Sequence, residues 1–288
     1  MRSKLAVLSQ FRSEIPANKI SRHLESHFDS KYKISWCLMK SKPRPCFTLQ
    51  LLSEFHEYIR ITKQEMLDSN GKKYDFVVLG SDVNGVFSLG GDLTLFRNCI
   101  EKKDWEGLFN YATKCIDILH ENINHLGCAL TTISLVKGDA LGGGFEAALG
   151  SNVIIAEKGV NMGLPEVLFN LFPGMGAYSL LSRKVGSSKA EKIILSGKLY
   201  TSDELFEMGV IDILAEKGEG ELEVYKYTKA ASRYSNTYSS IRQVRDICNK
   251  IHYDELVGIA KIWTDAALKL TDKDLKMMGR LISRQNAK

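Results

Sequence analysis

Two glycine-rich segments and two glutamates are the residues of this sequence whose types and spacing suit chemistry. Residues 138–149 include three consecutive glycines at 142–144, followed by an apolar run that predicts a helix. Without Cβ atoms, these glycines let backbone N–H groups approach a ligand near the positive end of that helix. Such N–H groups suit an oxygen that becomes negative during a reaction. Because Glu146 follows two residues later, the segment indicates acid–base chemistry beside an oxyanion hole.

A second glycine-rich segment lies earlier in the chain, at residues 80–93, and contains Gly90 and Gly91. It follows a predicted buried strand at residues 76–79, just as the first segment follows a predicted strand at residues 130–136. One Gly-Gly pair alone is typical of an ordinary tight turn. Two such turns, each after a strand of one sheet, could bring two backbone donors to one point.

Glu166 is the second candidate acid, and it is the only charged residue between positions 162 and 169. A structural role is the alternative for each glutamate, because an acid in the first turn of a helix is stabilised by the helix dipole. A buried carboxylate is nevertheless costly unless it is paired or functional. Together, Glu146 and Glu166 resemble a carboxylate pair for proton transfer, although their spacing leaves open whether they meet.

The elements that must position these residues alternate between strands and helices, which predicts an α/β fold. The chain divides into an α/β core at residues 1–215, with a basic N-terminal extension, and a helical region at residues 216–288. An apolar run at 46–52 and a polar segment at 63–73, which holds an Asn-Gly turn signal, separate the first two predicted strands. Strands are predicted at 31–39, 76–79, 130–136, 152–156 and 210–214, and helices at 105–126, 177–185, 189–195, 219–233, 239–250, 254–269 and about 273–282, with a capping box at 201–204.

The composition is that of an ordinary globular protein, with a formal net charge of +5. Residues 1–44 hold ten Lys or Arg against three acids, a basic excess that could attract an acidic partner or form a solvated face. No nucleic-acid-binding motif accompanies it, so nucleic acid is not an expected partner. Six cysteines without C-x-x-C spacing and scattered histidines predict a reduced, cytoplasmic protein without a metal site. No segment reaches the ~18 apolar residues of a membrane span.

Other catalytic motifs are absent from the sequence. The triple glycine lacks the Gly-Lys-Ser/Thr ending of a P-loop and the G-x-G-x-x-G spacing of a dinucleotide site. No G-x-S-x-G elbow is present, which argues against a serine hydrolase.

Four ordered motifs resemble those of the crotonase (enoyl-CoA hydratase/isomerase) superfamily, and the similarity covers about residues 76–215. They are F-x-x-G-x-D-L at 87–93, A-L-G-G-G-x-E at 140–146, G-L-P-E at 163–166 and F-P-G-M-G at 172–176. The resemblance implies a ClpP/crotonase-like fold with a repeated ββα spiral core. It also implies an oxyanion hole made by the N–H groups of Gly91 and Gly143, catalytic acids Glu146 and Glu166, and no cofactor.

Two further segments, residues 42–48 and 168–178, resemble those of bacterial diffusible signal factor (DSF) synthases. The similarity to these enzymes covers nearly the whole chain. This implies dehydration of 3-hydroxyacyl-acyl carrier protein to a cis-2-enoyl thioester, followed by hydrolysis to a free unsaturated fatty acid used in quorum sensing. Glu166 is then expected to take the Cα proton and Glu146 to protonate the leaving hydroxyl. Trp263 and Leu281 correspond to acyl-pocket residues, although plain helix packing is an equal alternative.

The resemblance also implies partners. The acyl group is expected to arrive on the phosphopantetheine of acyl carrier protein or CoA, and the basic Lys40, Lys42 and Arg44 could receive the acidic carrier. A homo-oligomer, such as a trimer, and the receiver domain of a sensor kinase are further expected partners. The alternatives are an ordinary CoA-dependent hydratase or isomerase of fatty-acid degradation, or a binding protein, including one that binds RNA.

Overall fold

The structure is a computed structural model and describes residues 22–42 and 44–286. The basic residues at positions 2, 4, 12 and 19 of the N-terminal extension lie outside these described residues. The secondary structure elements are β1 (Leu24–Asp29), β2 (Ile34–Met39), α1 (Leu49–Asp68), β3 (Phe76–Ser81), β4 (Val86–Ser88), α2 (Leu93–Glu101), α3 (Trp105–Ile123), β5 (Thr131–Val136), β6 (Asp139–Leu141), α4 (Gly143–Leu149), β7 (Val153–Glu157), β8 (Asn161–Gly163), α5 (Ala177–Val185), α6 (Ser187–Ser196), β9 (Leu199–Thr201), α7 (Ser202–Glu207), β10 (Ile213–Ala215), α8 (Gly220–Arg233), α9 (Ser235–Cys248), α10 (Tyr253–Ala267) and α11 (Asp272–Asn286), with 3₁₀ turns at His125–Gly127 and Pro165–Phe169.

Two sheets organise these elements and confirm the predicted α/β crotonase fold. The larger sheet has the strand order β1-β2-β3-β5-β7-β10, and only β1 runs antiparallel to its neighbour. The smaller sheet has the order β4-β6-β8-β9, in which β4, β6 and β8 are parallel. The strands β3, β5 and β7 are each followed by one strand of the smaller sheet and then by helical structure. This succession is the repeated ββα unit.

The predicted strand at residues 31–39 is present as the shorter β2, and residues 31–33 form a turn before it. Its alternating pattern is typical of a strand with one exposed face, but β2 is buried along its whole length. The two faces of β2 pack into two hydrophobic clusters, with Trp36 in one and Cys37 in the other. The strand β1 itself was not predicted. Its residues are mostly half-buried, so they lack the continuous apolar run that marks an interior strand.

The long helix α1 was also not predicted from the sequence. Its N-cap is Thr48, whose side chain accepts a hydrogen bond from the backbone N–H of Leu51. The apolar run at 46–52 therefore spans a loop and the first helical turn. Further along, the buried side chains recur at helical spacing and contribute to the core: Leu51, Leu52, Phe55, Ile59, Thr62 and Met66.

The C-terminal helices pack against the α/β core. Helix α8 contacts β5 and β7, α10 packs along α3, and α11 contacts α2 and the 3₁₀ turn after β8. The predicted strand at 210–214 is the shorter β10, and the predicted helix at 239–250 begins earlier, at Ser235. Within the described ranges, none of the helices has the length and apolar character needed to cross a membrane.

Candidate active site

Three loops meet at one edge of the smaller sheet. The strands β4, β6 and β8 are neighbouring and parallel, so their carboxyl ends lie at the same edge. The loop after β4 carries Gly91, Gly142 and Gly143 join β6 to the start of α4, and the 3₁₀ turn after β8 carries Glu166. The topology thus brings together residues that lie up to 75 positions apart in the chain.

The backbone amides of Gly91 and Gly143 lie close together. A Cβ atom built on Gly143 would be 3.4 Å from the amide nitrogen of Gly91. Both glycines line the same cavity. Within the described part of the chain, neither N–H group is used by the turns and caps around it. Two unused donors at one point are the arrangement that stabilises an oxyanion.

Asp92 fixes the backbone directly after Gly91. Its buried carboxylate caps α2 by accepting hydrogen bonds from the N–H groups of Thr94 and Leu95, at 3.1 and 3.2 Å. The guanidinium of Arg44 contributes an ion pair at 3.0 Å. Asp92, the aspartate of the F-x-x-G-x-D-L motif, therefore has a structural role, because it anchors the loop that presents the Gly91 amide.

Tyr111 is a site residue that sequence reasoning missed. Its buried hydroxyl donates to the carbonyl oxygen of Phe47 at 2.5 Å and accepts from the N–H of Asp92 at 3.2 Å. The N–H of Phe47 in turn donates to Gly90 O at 2.8 Å. Tyr111 thus joins the Gly91 loop to the segment before α1. In the sequence it is only one apolar position of the helix α3.

Two of the three consecutive glycines lie so close to other atoms that a side chain would not fit. Gly142 has φ 54°, which favours glycine, and a Cβ atom there would lie 2.5 Å from Glu166 Oε1. A Cβ atom on Gly144 would lie 2.3 Å from the carbonyl oxygen of Ser88 in β4. These contacts allow α4 to sit against the smaller sheet with the Glu166 carboxyl group beside its first turn.

Glu146 lies one turn into α4 and is buried. Its Oε1 accepts hydrogen bonds from the N–H groups of Met175 and Ala177, at 2.9 and 3.0 Å. These donors come from the F-P-G-M-G segment and the start of α5. Burial raises the pKa of Glu146 to about 7, and the two N–H bonds act against that rise by favouring the charged form.

Glu166 carries its carboxyl group into the same cavity. Its Oε2 is buried and has no hydrogen-bond partner among the described residues. Burial, and then the charge of Glu146, raise the pKa of Glu166 to about 8. With both pKa values raised to neutral pH or above, the site can hold one ionised and one protonated carboxyl group, which are one base and one acid.

The raised pKa values predict how stability depends on pH. An unfolded glutamate has the ordinary pKa of 4.5, so between about pH 4.5 and 8 the folded pair binds more protons than the unfolded pair. The free energy of unfolding should therefore decrease as pH rises through that window, because the folded protein then has to ionise two carboxyl groups whose charge its interior disfavours. Denaturant unfolding at pH 5 and pH 8 should show a smaller decrease for the E146Q/E166Q double variant than for the wild type. Equal decreases would show that the pair is not protonated in the folded state.

The cavity that holds the site has a volume of about 570 Å³ and a mainly apolar lining, within the ~300–1,000 Å³ typical of small-molecule sites. Trp263 on α10 and Leu281 on α11 both contribute to its wall. Trp263 is buried and packs edge-on against Phe96, with ring centroids 5.0 Å apart. Among the described residues, no group of three or more His, Cys, Asp or Glu is arranged to hold a metal ion.

Comparison with known proteins identifies the family. Residues 44–281 match the family profile described as enoyl-CoA hydratase/isomerase. A peroxisomal fatty acid β-oxidation multifunctional protein of Arabidopsis thaliana is 29% identical over 157 residues, which are 54% of this chain and 21% of that protein. The aligned part thus represents only about a fifth of this relative's length.

Solved structures share the fold at low identity. An enoyl-CoA hydratase from Bacillus halodurans superposes with a TM-score of 0.75 at 20% identity, covering 90% of this chain and 99% of its own. Human mitochondrial Δ3-Δ2-enoyl-CoA isomerase gives a TM-score of 0.74 at 17% identity, covering 91% and 98%. With the profile match over most of its length, the chain belongs to the enoyl-CoA hydratase/isomerase family of the crotonase superfamily.

Proposed function

We propose that the protein is a DSF synthase: it dehydrates a 3-hydroxyacyl-acyl carrier protein to a cis-2-enoyl thioester and then hydrolyses that thioester. The product is a free cis-2-unsaturated fatty acid that serves quorum sensing. One observation carries the thioester chemistry of the proposal: the amides of Gly91 and Gly143 lie in an apolar cavity with two carboxyl groups of raised pKa. The resemblance of residues 42–48 and 168–178 to DSF synthases supports the choice of substrate and product. Because the acyl group arrives on its thioester carrier, the reaction needs no cofactor.

Dehydration uses the site as follows. The thioester oxygen accepts hydrogen bonds from the Gly91 and Gly143 N–H groups, which stabilise the enolate formed when the Cα proton leaves. The electron pair then forms the Cα–Cβ double bond as the C–O bond to the 3-hydroxyl breaks. The second carboxyl group supplies the proton that turns the departing hydroxide into water.

The proposed split of roles is that Glu166 takes the Cα proton and Glu146 protonates the hydroxyl. The Oε2 atom of Glu166 supports this split, because among the described residues it has no hydrogen-bond partner that holds it in its present position. The two N–H bonds to Glu146 favour the opposite split, because they stabilise its ionised form. Exchange of the Cα proton for deuterium in the two single variants distinguishes the assignments, since only loss of the base abolishes exchange.

Hydrolysis of the enoyl thioester uses the same two donors. An ionised glutamate removes a proton from water, and the water oxygen attacks the thioester carbon. The tetrahedral oxyanion is stabilised by the amides of Gly91 and Gly143. Collapse breaks the C–S bond, the carrier thiol takes up the proton, and the free acid leaves. Trp263 and Leu281 are proposed to contact the acyl chain during both steps.

The second candidate is an ordinary hydratase or isomerase acting on CoA thioesters, and the family profile is equally consistent with it. Release of carrier thiol separates the two functions, because hydration and isomerisation leave the thioester bond intact. Incubation with 3-hydroxydodecanoyl-carrier protein and a thiol-reactive dye should show one thiol released per acyl group for a synthase. A hydratase would release none and would interconvert enoyl-CoA and 3-hydroxyacyl-CoA.

The basic segment before α1 is the proposed docking point for the acidic carrier protein. Lys40 pairs with Glu25, and Arg44 pairs with the loop-anchoring Asp92, so charge reversal at either would disturb a structural ion pair. Lys42 is exposed and allows a cleaner test. We expect K42E to raise KM for the carrier-bound substrate by up to about fivefold.

The control for this prediction is K31E, which reverses an exposed charge at the other end of β2. An N-acetylcysteamine thioester, which lacks the carrier protein, should show an unchanged KM with both variants. If K42E and K31E raise KM equally for the carrier-bound substrate, the effect reflects general charge and the docking point is wrong.

The resemblance to DSF synthases and to the crotonase superfamily also supports an oligomer and a regulatory partner. We propose a cytoplasmic homo-oligomer of the trimeric kind and binding by the receiver domain of a sensor kinase. Light scattering of the pure protein measures the first, and titration with an isolated receiver domain measures the second.

A further inference from the structure

Gln285, near the end of α11, clamps the loop that carries the Gly91 amide. Its Nε2 donates hydrogen bonds to the carbonyl oxygens of Leu89 and Gly91, both at 2.9 Å. Because both partners are carbonyl oxygens, the group that faces them must be the NH2 of the side chain. The two carbonyls flank the Gly91 N–H, so this clamp fixes the direction in which that amide points.

The other end of the Gln285 side chain is unused. The residue is 3% exposed, it lines the cavity, and its Oε1 is buried without a partner among the described residues. A buried amide oxygen without a donor is destabilising. This oxygen therefore marks a position where a bound ligand can supply an N–H or O–H group.

The proposed function indicates which ligand group lies there, and this inference rests on it. With the thioester oxygen between Gly91 and Gly143, the Cα atom points towards Glu166, which lies beside Gly142. The sulfur atom, as the other substituent of the carbonyl carbon, would then lie on the side away from Glu166. Gln285 lines the cavity and contacts the Gly91 loop, not the Gly142 turn that lies beside Glu166.

We propose that Gln285 Oε1 accepts a hydrogen bond from the first amide N–H of the phosphopantetheine arm. In both CoA and acyl carrier protein, this amide is two carbons from the sulfur atom and is the first polar group along the arm. Gln285 thereby acts as a specificity residue, since the same side chain that positions the oxyanion loop also recognises the carrier arm.

The test uses two saturated ketone analogues in which a methylene replaces the sulfur, so that neither can be dehydrated or hydrolysed. One analogue keeps the arm's amide N–H, and the other has an ester oxygen in its place. Calorimetry with the wild type should give a Kd about five- to tenfold lower for the amide analogue. In Q285M this preference should disappear, whereas N286A, at the exposed neighbouring residue, should keep it.

Equal binding of the two analogues by the wild type would overturn the inference without reference to any variant. It would also be overturned if Q285M weakened both analogues by one common factor, because Gln285 would then only position the loop. Failure of the proposed function looks different: the wild type would prefer the amide analogue but release no free acid from a 3-hydroxyacyl thioester.

Discussion

Replacing Glu166 by glutamine is expected to lower kcat for dehydration by about 10²–10⁴-fold, the range typical of a lost general acid or base. The side chain keeps its size, so the contact with Gly142 should persist and KM should change little. The raised pKa of Glu166 depends on burial and on Glu146. Glutamine cannot take up the Cα proton, so E166Q should also lose deuterium exchange at Cα, measured by mass spectrometry of recovered substrate.

Two other variants show whether the effect of E166Q comes from loss of the catalytic base. E146Q should also lose dehydration but keep Cα exchange, because it would leave the base in place and remove the acid. The matched control is E157Q, since Glu157 is a second buried glutamate that accepts a backbone hydrogen bond, from Gly220, outside the cavity. Full activity of E166Q would refute the carboxylate-pair mechanism, and exchange lost in E146Q alone would reverse the two roles.

Removing the Gly143 N–H is expected to cost about 10²–10³-fold in kcat. G143P achieves this removal, because proline has no N–H and is tolerated at the first position of a helix, which Gly143 occupies in α4. Both the dehydration and the hydrolysis steps should suffer, since each places negative charge on the same oxygen. The measurement is kcat for each step, with the carrier-bound hydroxyacyl and enoyl thioesters as separate substrates.

G143A provides the matched control, because alanine adds a Cβ atom but keeps the N–H. That Cβ would lie 3.4 Å from Gly91 N, an ordinary contact, so G143A should keep most of the activity. A melting temperature of G143P close to that of G143A would show that the helix start is intact. If G143P then worked as well as G143A, the amide of Gly143 would not be an oxyanion donor.

The sequence indicates candidate site residues because glycine turns and lone acids are concentrated in short segments. Gly91, Gly143 and Glu166 each come shortly after the end of a strand of the smaller sheet, and three neighbouring parallel strands bring such segments to one edge. A short motif can therefore indicate a site residue even though the residues that it meets in the fold lie far away in the sequence. What the sequence did not show was the distance between them, or the burial that raises the two pKa values.

The supporting contacts could not be predicted, because they join positions far apart without a local pattern. Gln285 lies 194 residues from Gly91, and Tyr111 lies 64 residues from Phe47. Similarly, the positive charges of Lys40 and Arg44 were visible, but the acids that pair with them were not. The residue type shows which hydrogen bonds or ion pairs such a side chain can make, whereas tertiary packing decides which partner it meets.

The most direct test of the central claim is mass spectrometry of the products formed from 3-hydroxydodecanoyl-carrier protein. The proposed function predicts free cis-2-dodecenoic acid and unacylated carrier from the wild type, and neither product from E166Q. An equilibrium mixture of hydroxyacyl and enoyl thioesters, with no free acid, would contradict the synthase function. That result would instead identify the protein as a hydratase that uses the same pair of amides and carboxyl groups.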